Sequence, residues 1–147
     1  MIRVQRKRTK GYKLPENTKC VNRGTKWGNP IKIIGDQLYV DARYRRTILD
    51  KWVWLWVGDI DDVVWLYQKL LNGDKFQNKD LQHWSDKLKQ LDLKEIEGKN
   101  LACFCSLSNK KNEYTPCHAD ILLSLSNNIP LKDVINENIR QEKLLRR

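Results

Sequence analysis

The sequence predicts a small α/β protein of one domain, in which a short mixed, Rossmann-like sheet is packed by about four to five helices. Three observations favour this class. The 147 residues suffice for one ordinary domain but not for two cores and a linker. Short segments near both ends have the pattern of strands, and the residues between them carry apolar side chains at helical spacing. No repeat of about 20–50 residues is present, which excludes solenoids.

The first predicted strands lie in the N-terminal quarter. Residues 2–6 alternate between apolar and polar types, which predicts a strand with its apolar residues turned inward. Cys20 begins a second short strand, and a loop punctuated by glycine and proline follows it. Residues 31–40 predict a further pair of strands around a turn at Gly35.

Helical spacing begins after this strand pair. Apolar residues from Tyr44 to Trp56 predict a helix that ends at Gly58. Asp59 or Asp61 can cap a second helix, and a third begins near Asn78. These helices place most of the tryptophans in core or half-core positions, with base stacking as the less favoured alternative. The tryptophans concerned are Trp52, Trp54, Trp56, Trp65 and Trp84.

The C-terminal part predicts one more strand and two helices. Leu101–Cys105 is a brief apolar run between polar residues, typical of a buried central strand. Thr115 and Pro116 suit the N-cap and first position of the next helix. A final helix follows Pro130, so we expect a domain over residues 1–129 with an additional helix over residues 130–147.

The positive charge is concentrated near the N-terminus. The formal net charge is +10, and residues 1–34 contain ten Lys and Arg against one acid. Such a field attracts phosphate groups of nucleic acids, nucleotides or membrane surfaces, although a solubilising basic arm without a partner is the alternative. We expect a nucleic acid or a nucleotide as the partner. The candidate phosphate-binding residues are Arg3, Arg6, Arg23, Lys26 and Asn29.

Three cysteines and a histidine are candidate zinc ligands. Cys103 and Cys105 point to one face of the predicted strand, and Cys117 and His118 begin the next helix. Together they have the composition of a structural Cys₃His zinc site. Two features oppose this interpretation: side chains two apart on a regular strand stand about 7 Å apart, and neighbouring helical residues diverge by about 100°.

Two other interpretations of the same residues stay open. With Thr115 as the N-cap, Cys117 and His118 fall at the N2 and N3 positions of the helix. Backbone N–H groups at these positions attract phosphate and lower the pKa of a thiol. Cys105, Cys117 and His118 would then form a reactive thiol centre, with Asp120 as an acid–base group or a partner of His118. Alternatively the thiols only fill space in the core, which we also expect for Cys20.

The order of the motifs is similar to that of a known family. A basic N-terminal block, a Lys-Trp-Gly-Asn-Pro block at residues 26–30, and a block from Cys103 to Asp120 follow one another. Over about residues 2–126 the chain resembles the family called domain of unknown function DUF4326, found in bacteria and their phages. The resemblance implies no activity, because the family has none established. The loop within the third block is longer than is typical of the family.

Two functional hypotheses follow. The first is a cytoplasmic protein that binds a nucleic acid or nucleotide, with processing of a nucleotide, nucleoside or base at the Cys/His site as its enzymatic form. The second is a non-catalytic phage or host-interaction protein with a structural zinc cluster. Zinc-deaminase, Walker A and dinucleotide-binding signatures are absent from the sequence. Neither a long apolar run nor a secretion signal is present, so we expect no membrane association.

Overall fold

A computed structural model describes residues 1–45 and 51–145. They fall into two compact units: unit 1 takes Met1–Gly28 and the described residues from Asp92 onward, and unit 2 takes Asn29–Leu91. The α/β class is confirmed, with four α-helices, one 3₁₀-helix and two three-stranded sheets in the described part of the chain. A Rossmann-like arrangement stays a prediction.

Unit 1 is built on a parallel sheet with the strand order β1-β6-β2. The strands are β1 (Arg3–Gln5), β2 (Thr18–Cys20) and β6 (Asn100–Cys103). Because β6 pairs with a strand on each side, its backbone hydrogen bonds are satisfied and its residues Leu101 and Ala102 are fully buried. The predicted buried central strand is therefore confirmed.

The helices of unit 1 are α3 (His118–Asn127), α4 (Leu131–Leu145) and a 3₁₀-helix (Leu93–Ile96). α3 packs against β6, β1 and α4. Its start differs from the prediction: Cys117 is the N-cap, with extended backbone angles, and Asp120 accepts a hydrogen bond from the Cys117 backbone N–H at 2.9 Å. This capping box moves the helix start past Thr115 and Pro116, so Cys117 and His118 do not occupy the N2 and N3 positions.

Unit 2 is an antiparallel sheet with two helices. Its strands are β3 (Ile31–Ile34), β4 (Gln37–Asp41) and β5 (Trp52–Val57), and its helices are α1 (Ile60–Leu71) and α2 (Lys79–Leu88). α1 packs against β3 and α2. The predicted strand pair around Gly35 is confirmed, as are two helices with Asp59 and Asn78 as their N-caps.

Three expectations about the fold are wrong. The single mixed sheet is replaced by one parallel and one antiparallel sheet. In place of the C-terminal part of the helix predicted over Tyr44–Trp56, the structure has strand β5. Its β-branched and aromatic residues fit a pleated strand and pair with β4. Residues 46–50 of that prediction lie outside the described residues. Trp54 and Trp65 are exposed by 54% and 51%, so neither belongs to the core.

The described helices include none that is long and apolar enough to cross a membrane. A cytoplasmic location stays a prediction.

Candidate functional site

Three of the four cysteines meet at the end of β6. The Sγ atoms of Cys103, Cys105 and Cys117 all lie within 4.8 Å of one another, and those of Cys103 and Cys117 are 3.3 Å apart. The strand ends at Cys103 and the chain bends through the next two residues, which removes the separation expected in a regular strand. The prediction that these cysteines meet in one place is confirmed.

His118 joins the cluster through Cys117. Its Nδ1 lies 3.3 Å from the Cys117 Sγ, and its Nε2 lies 2.6 Å from the backbone carbonyl oxygen of Val21. A carbonyl oxygen only accepts, so Nε2 carries a hydrogen and Nδ1 is the ring nitrogen that faces the sulfur. Since Cys117 has extended angles as the N-cap, the divergence of neighbouring helical residues does not apply to this pair.

The cluster concentrates negative charge on one sulfur. Hydrogen bonds from Cys103 and Cys105 lower the pKa of the Cys117 thiol well below its ordinary value, although burial acts in the opposite direction. For His118, burial acts to lower the pKa, but the Cys117 sulfur and the hydrogen bonds of the ring outweigh burial and raise the pKa to about 10. Hydrogen bonds to Cys105 and Cys117, together with burial, raise the pKa of Cys103. The site thus places a thiolate-favouring Cys117 sulfur between the Cys103 thiol and the His118 ring.

Asp120 is a buried hub beside the cluster. Besides the Cys117 N–H, it accepts hydrogen bonds from the Tyr114 hydroxyl at 2.7 Å and from Asn138 Nδ2 at 2.8 Å. Burial raises the pKa of the Asp120 carboxyl, and the Arg3 guanidinium acts to lower it. These contacts fix the N-cap of α3, and the role predicted for Asp120 as an acid–base group stays a prediction.

Arg3 is buried beside Asp120. It is 3% exposed, and its Nη1 lies 3.6 Å from the Asp120 carboxylate. Its Nη2 donates to the backbone carbonyls of Ser106 and Thr115 at 3.2 and 2.8 Å. The Arg3 side chain therefore neutralises a buried carboxylate and holds the loop that leads into α3, and its binding of a phosphate stays a prediction.

The other predicted phosphate ligands lie in varied surroundings. Lys26 forms an ion pair with Glu95 at 2.6 Å, and Arg6 donates to Asn22 at 3.0 Å. Arg23 is exposed. Binding of a phosphate group by these residues stays a prediction.

Asn29 belongs to unit 2 and is 5% exposed. Its Oδ1 accepts a hydrogen bond from the Ile31 backbone N–H at 2.9 Å, which fixes the start of β3. The structure gives the Asn29 side chain this structural contact, and its binding of a phosphate stays a prediction.

Two site residues were not predicted from the sequence. Tyr114 and Asn138 both hydrogen-bond Asp120, and Asn138 also donates to the Tyr114 hydroxyl at 3.0 Å. A signal for Asn138 exists: it lies four residues after Val134, on the buried side of α4, and a buried polar residue needs a partner. Tyr114 lies in a polar loop and has no comparable signal.

The fold and the site together define a class, namely an α/β protein with a cysteine and histidine cluster between the central strand of a parallel sheet and the following helix. Residues 4–128 match the family model of the domain of unknown function DUF4326, and the chain belongs to this family. No curated protein and no solved structure matches the chain.

Proposed function

We propose that this protein binds zinc through Cys103, Cys105, Cys117 and His118. The observation that carries the proposal is the meeting of three thiols within 4.8 Å. Zinc–sulfur bonds of about 2.3 Å in a tetrahedron place the sulfurs about 3.8 Å apart, so small adjustments of the side chains suffice to enclose the ion. Thiolates are also the preferred ligands of zinc in structural sites.

His118 is suited to be the fourth ligand. Its Nδ1 faces the cluster, 3.3 Å from the Cys117 Sγ. Its Nε2 is held by the Val21 carbonyl oxygen, the kind of outer contact that fixes the tautomer and ring orientation of a metal-binding histidine. Four protein ligands close the coordination sphere, which favours a structural over a catalytic ion.

Such an ion would fasten the end of β6 to the start of α3. The two elements are joined by residues 104–117, which form no helix or extended strand. Because the unfolded chain has no preformed site, the free energy of binding the ion stabilises the folded state. The proposed function is therefore a zinc staple of unit 1.

Metal analysis of the Cys105→Ser variant tests the proposal. Cys105 is exposed, so its replacement leaves no cavity, and Cys20→Ser is the matched control because Cys20 is the free cysteine outside the cluster. Wild type and Cys20→Ser should contain about one zinc ion per chain, whereas Cys105→Ser should lose most of it. Cobalt-substituted wild type should show the absorption of tetrahedral thiolate coordination. A wild type without zinc that also fails to bind cobalt would contradict the proposal.

The close pair of Cys117 and His118 favours a second candidate, a thiol enzyme that acts on a nucleotide, nucleoside or base. The 3.3 Å separation suits a nucleophile beside its base. Alkylation of the native protein separates the candidates. A free thiol centre reacts with iodoacetamide without added chelator, whereas a zinc-bound cluster reacts only after the chelator removes the ion.

A further inference from the structure

The antiparallel sheet of unit 2 has one apolar face turned inward and one open face. Leu38, Val40 and Leu55 on the inner face are buried, and α1 packs on the sheet. On the other side, Trp54 and Val57 are more than half exposed. We call this side the outer sheet face and define it by Lys32, Ile34, Tyr39, Trp52, Trp54 and Val57.

The register aligns a cation with two aromatic rings across this face. Lys32 pairs with Tyr39 on β4, and Tyr39 pairs with Trp54 on β5. Directly paired residues of an antiparallel sheet have side chains about 5 Å apart on the same face. The three side chains therefore form a continuous row from one edge of the sheet to the other.

Cations also lie over the ring of Trp52. The Lys32 Nζ is 4.1 Å from the centre of that ring, and the Arg43 Cζ is 5.3 Å from it. Arg43 is held in place by Asp41, whose carboxylate accepts hydrogen bonds from Arg43 Nε and Nη2. The outer sheet face thus combines exposed aromatic surface with the charge of Lys32 and with an Arg43 guanidinium that is paired with Asp41 at 2.6 Å.

We propose that the outer sheet face binds single-stranded DNA, with bases stacked on Trp54 and Tyr39 and phosphates bound by Lys32 and Arg43. Aromatic platforms beside cations are the usual means of binding unpaired strands, because every base has a face that stacks and every nucleotide carries a phosphate. On this face, the aromatic rings can stack on the base of a nucleotide and the cations can bind its phosphate. This proposal is independent of the zinc site.

Charge argues against a second copy of the chain as the occupant. A two-fold dimer through this face would bring the Lys32 cations of the two copies into one interface, whereas each Arg43 is paired with Asp41 of its own copy. Like charges in a desolvated interface are unfavourable, whereas a phosphate backbone compensates them.

A hydrogen bond to the neighbouring Gln37 holds the Trp54 ring. The Oε1 of Gln37 accepts a hydrogen bond from the Trp54 indole Nε1 at 2.6 Å. This contact fixes the orientation of the Trp54 ring. Unpaired bases are needed because the stacked bases of a duplex do not expose their faces.

The test is fluorescence anisotropy with a labelled short oligothymidylate at low salt. Trp54→Ala should weaken binding by about fivefold or more, the loss of one stacked base, and Trp54→Phe should restore most of it. Trp65→Ala is the matched control: Trp65 is 51% exposed on α1 and carries Lys69 over its ring at 5.5 Å, but it lies outside the outer sheet face. Its replacement should leave affinity unchanged, and circular dichroism should show that all three variants remain folded.

The salt dependence tests the cations. Lys32→Gln should reduce the slope of log K against log salt concentration by about 0.7, the contribution of one phosphate contact on a single strand. Equal affinity of wild type and Trp54→Ala would overturn the proposal, and so would equal binding of a duplex of the same sequence. An RNA strand bound tenfold more tightly than DNA would overturn the choice of DNA. A wild-type dimer that Trp54→Ala dissociates in ultracentrifugation, without DNA binding, would identify the face as a contact between copies.

Discussion

Asp120→Asn should destabilise the protein by about 3–4 kcal/mol, because it leaves Arg3 as an uncompensated buried charge. Both side chains have 0% exposure, and the Arg3 Nη1 lies 3.6 Å from Asp120 Oδ2. At this distance, an effective dielectric constant of about 20 gives an attraction of about 5 kcal/mol. The carbonyls of Ser106 and Thr115, which accept hydrogen bonds from Arg3, continue to stabilise the charge and reduce the loss.

Urea denaturation of wild type and two variants measures this effect. Asp62→Asn is the control, since Asp62 occupies the same capping-box position on α1 and accepts from the Asp59 N–H at 2.9 Å, but pairs there at an exposed helix end. It should lose about 1 kcal/mol or less. Adding Arg3→Met to Asp120→Asn should recover part of the loss. If Asp120→Asn costs no more than Asp62→Asn, the reasoning about the buried ion pair is refuted.

Three further predictions concern other parts of the molecule. Gly28→Ala should lower the melting temperature, because the added Cβ atom would lie 2.7 Å from the backbone Cα of Arg23. An unchanged melting temperature would show instead that the loop shifts to accept the Cβ atom. Burial and a hydrogen bond to Asp80 raise the pKa of the Tyr44 hydroxyl to about 12 from its ordinary value of 10. The protonated hydroxyl therefore stabilises the folded state fully below pH 10, and this contribution is lost as the pH rises through about 12. Urea denaturation across that range should therefore show a smaller decline for Tyr44→Phe than for wild type. A chelator should lower the melting temperature of wild type but not of Cys105→Ser, and an equal decrease in both would contradict a zinc staple.

Local patterns in the sequence determined several elements correctly. The turn at Gly35 and the N-caps at Asp59 and Asn78 are read from neighbouring residues, since the hydrogen bonds that create them join residues two to four apart. The meeting of the cysteines was also predictable, because a central strand followed by a helix brings its C-terminal end close to the helix start. These features need no knowledge of distant contacts.

Tertiary structure decided the secondary structure of Trp52–Val57 and the burial of Arg3. A short apolar run fits a buried helix turn or a strand equally well, and the hydrogen bonds with β4 choose the strand. Alternation in β1 predicts that its apolar residues face the core, yet Arg3 is the buried residue. Its burial depends on Asp120, more than a hundred residues away, which supplies the opposite charge that makes a buried guanidinium tolerable.

The same distinction between local patterns and long-range contacts applies to the cysteine cluster and to the outer sheet face. The residue types of the cysteine cluster and their order along the chain are visible in the sequence, whereas the bend after Cys103 and the carbonyl of Val21 that orients His118 are set by folding. The outer sheet face could not be seen at all from the sequence, because it depends on β3, β4 and β5 pairing in register. Local chemistry fixes which groups are available, but only long-range pairing decides which of them share a surface.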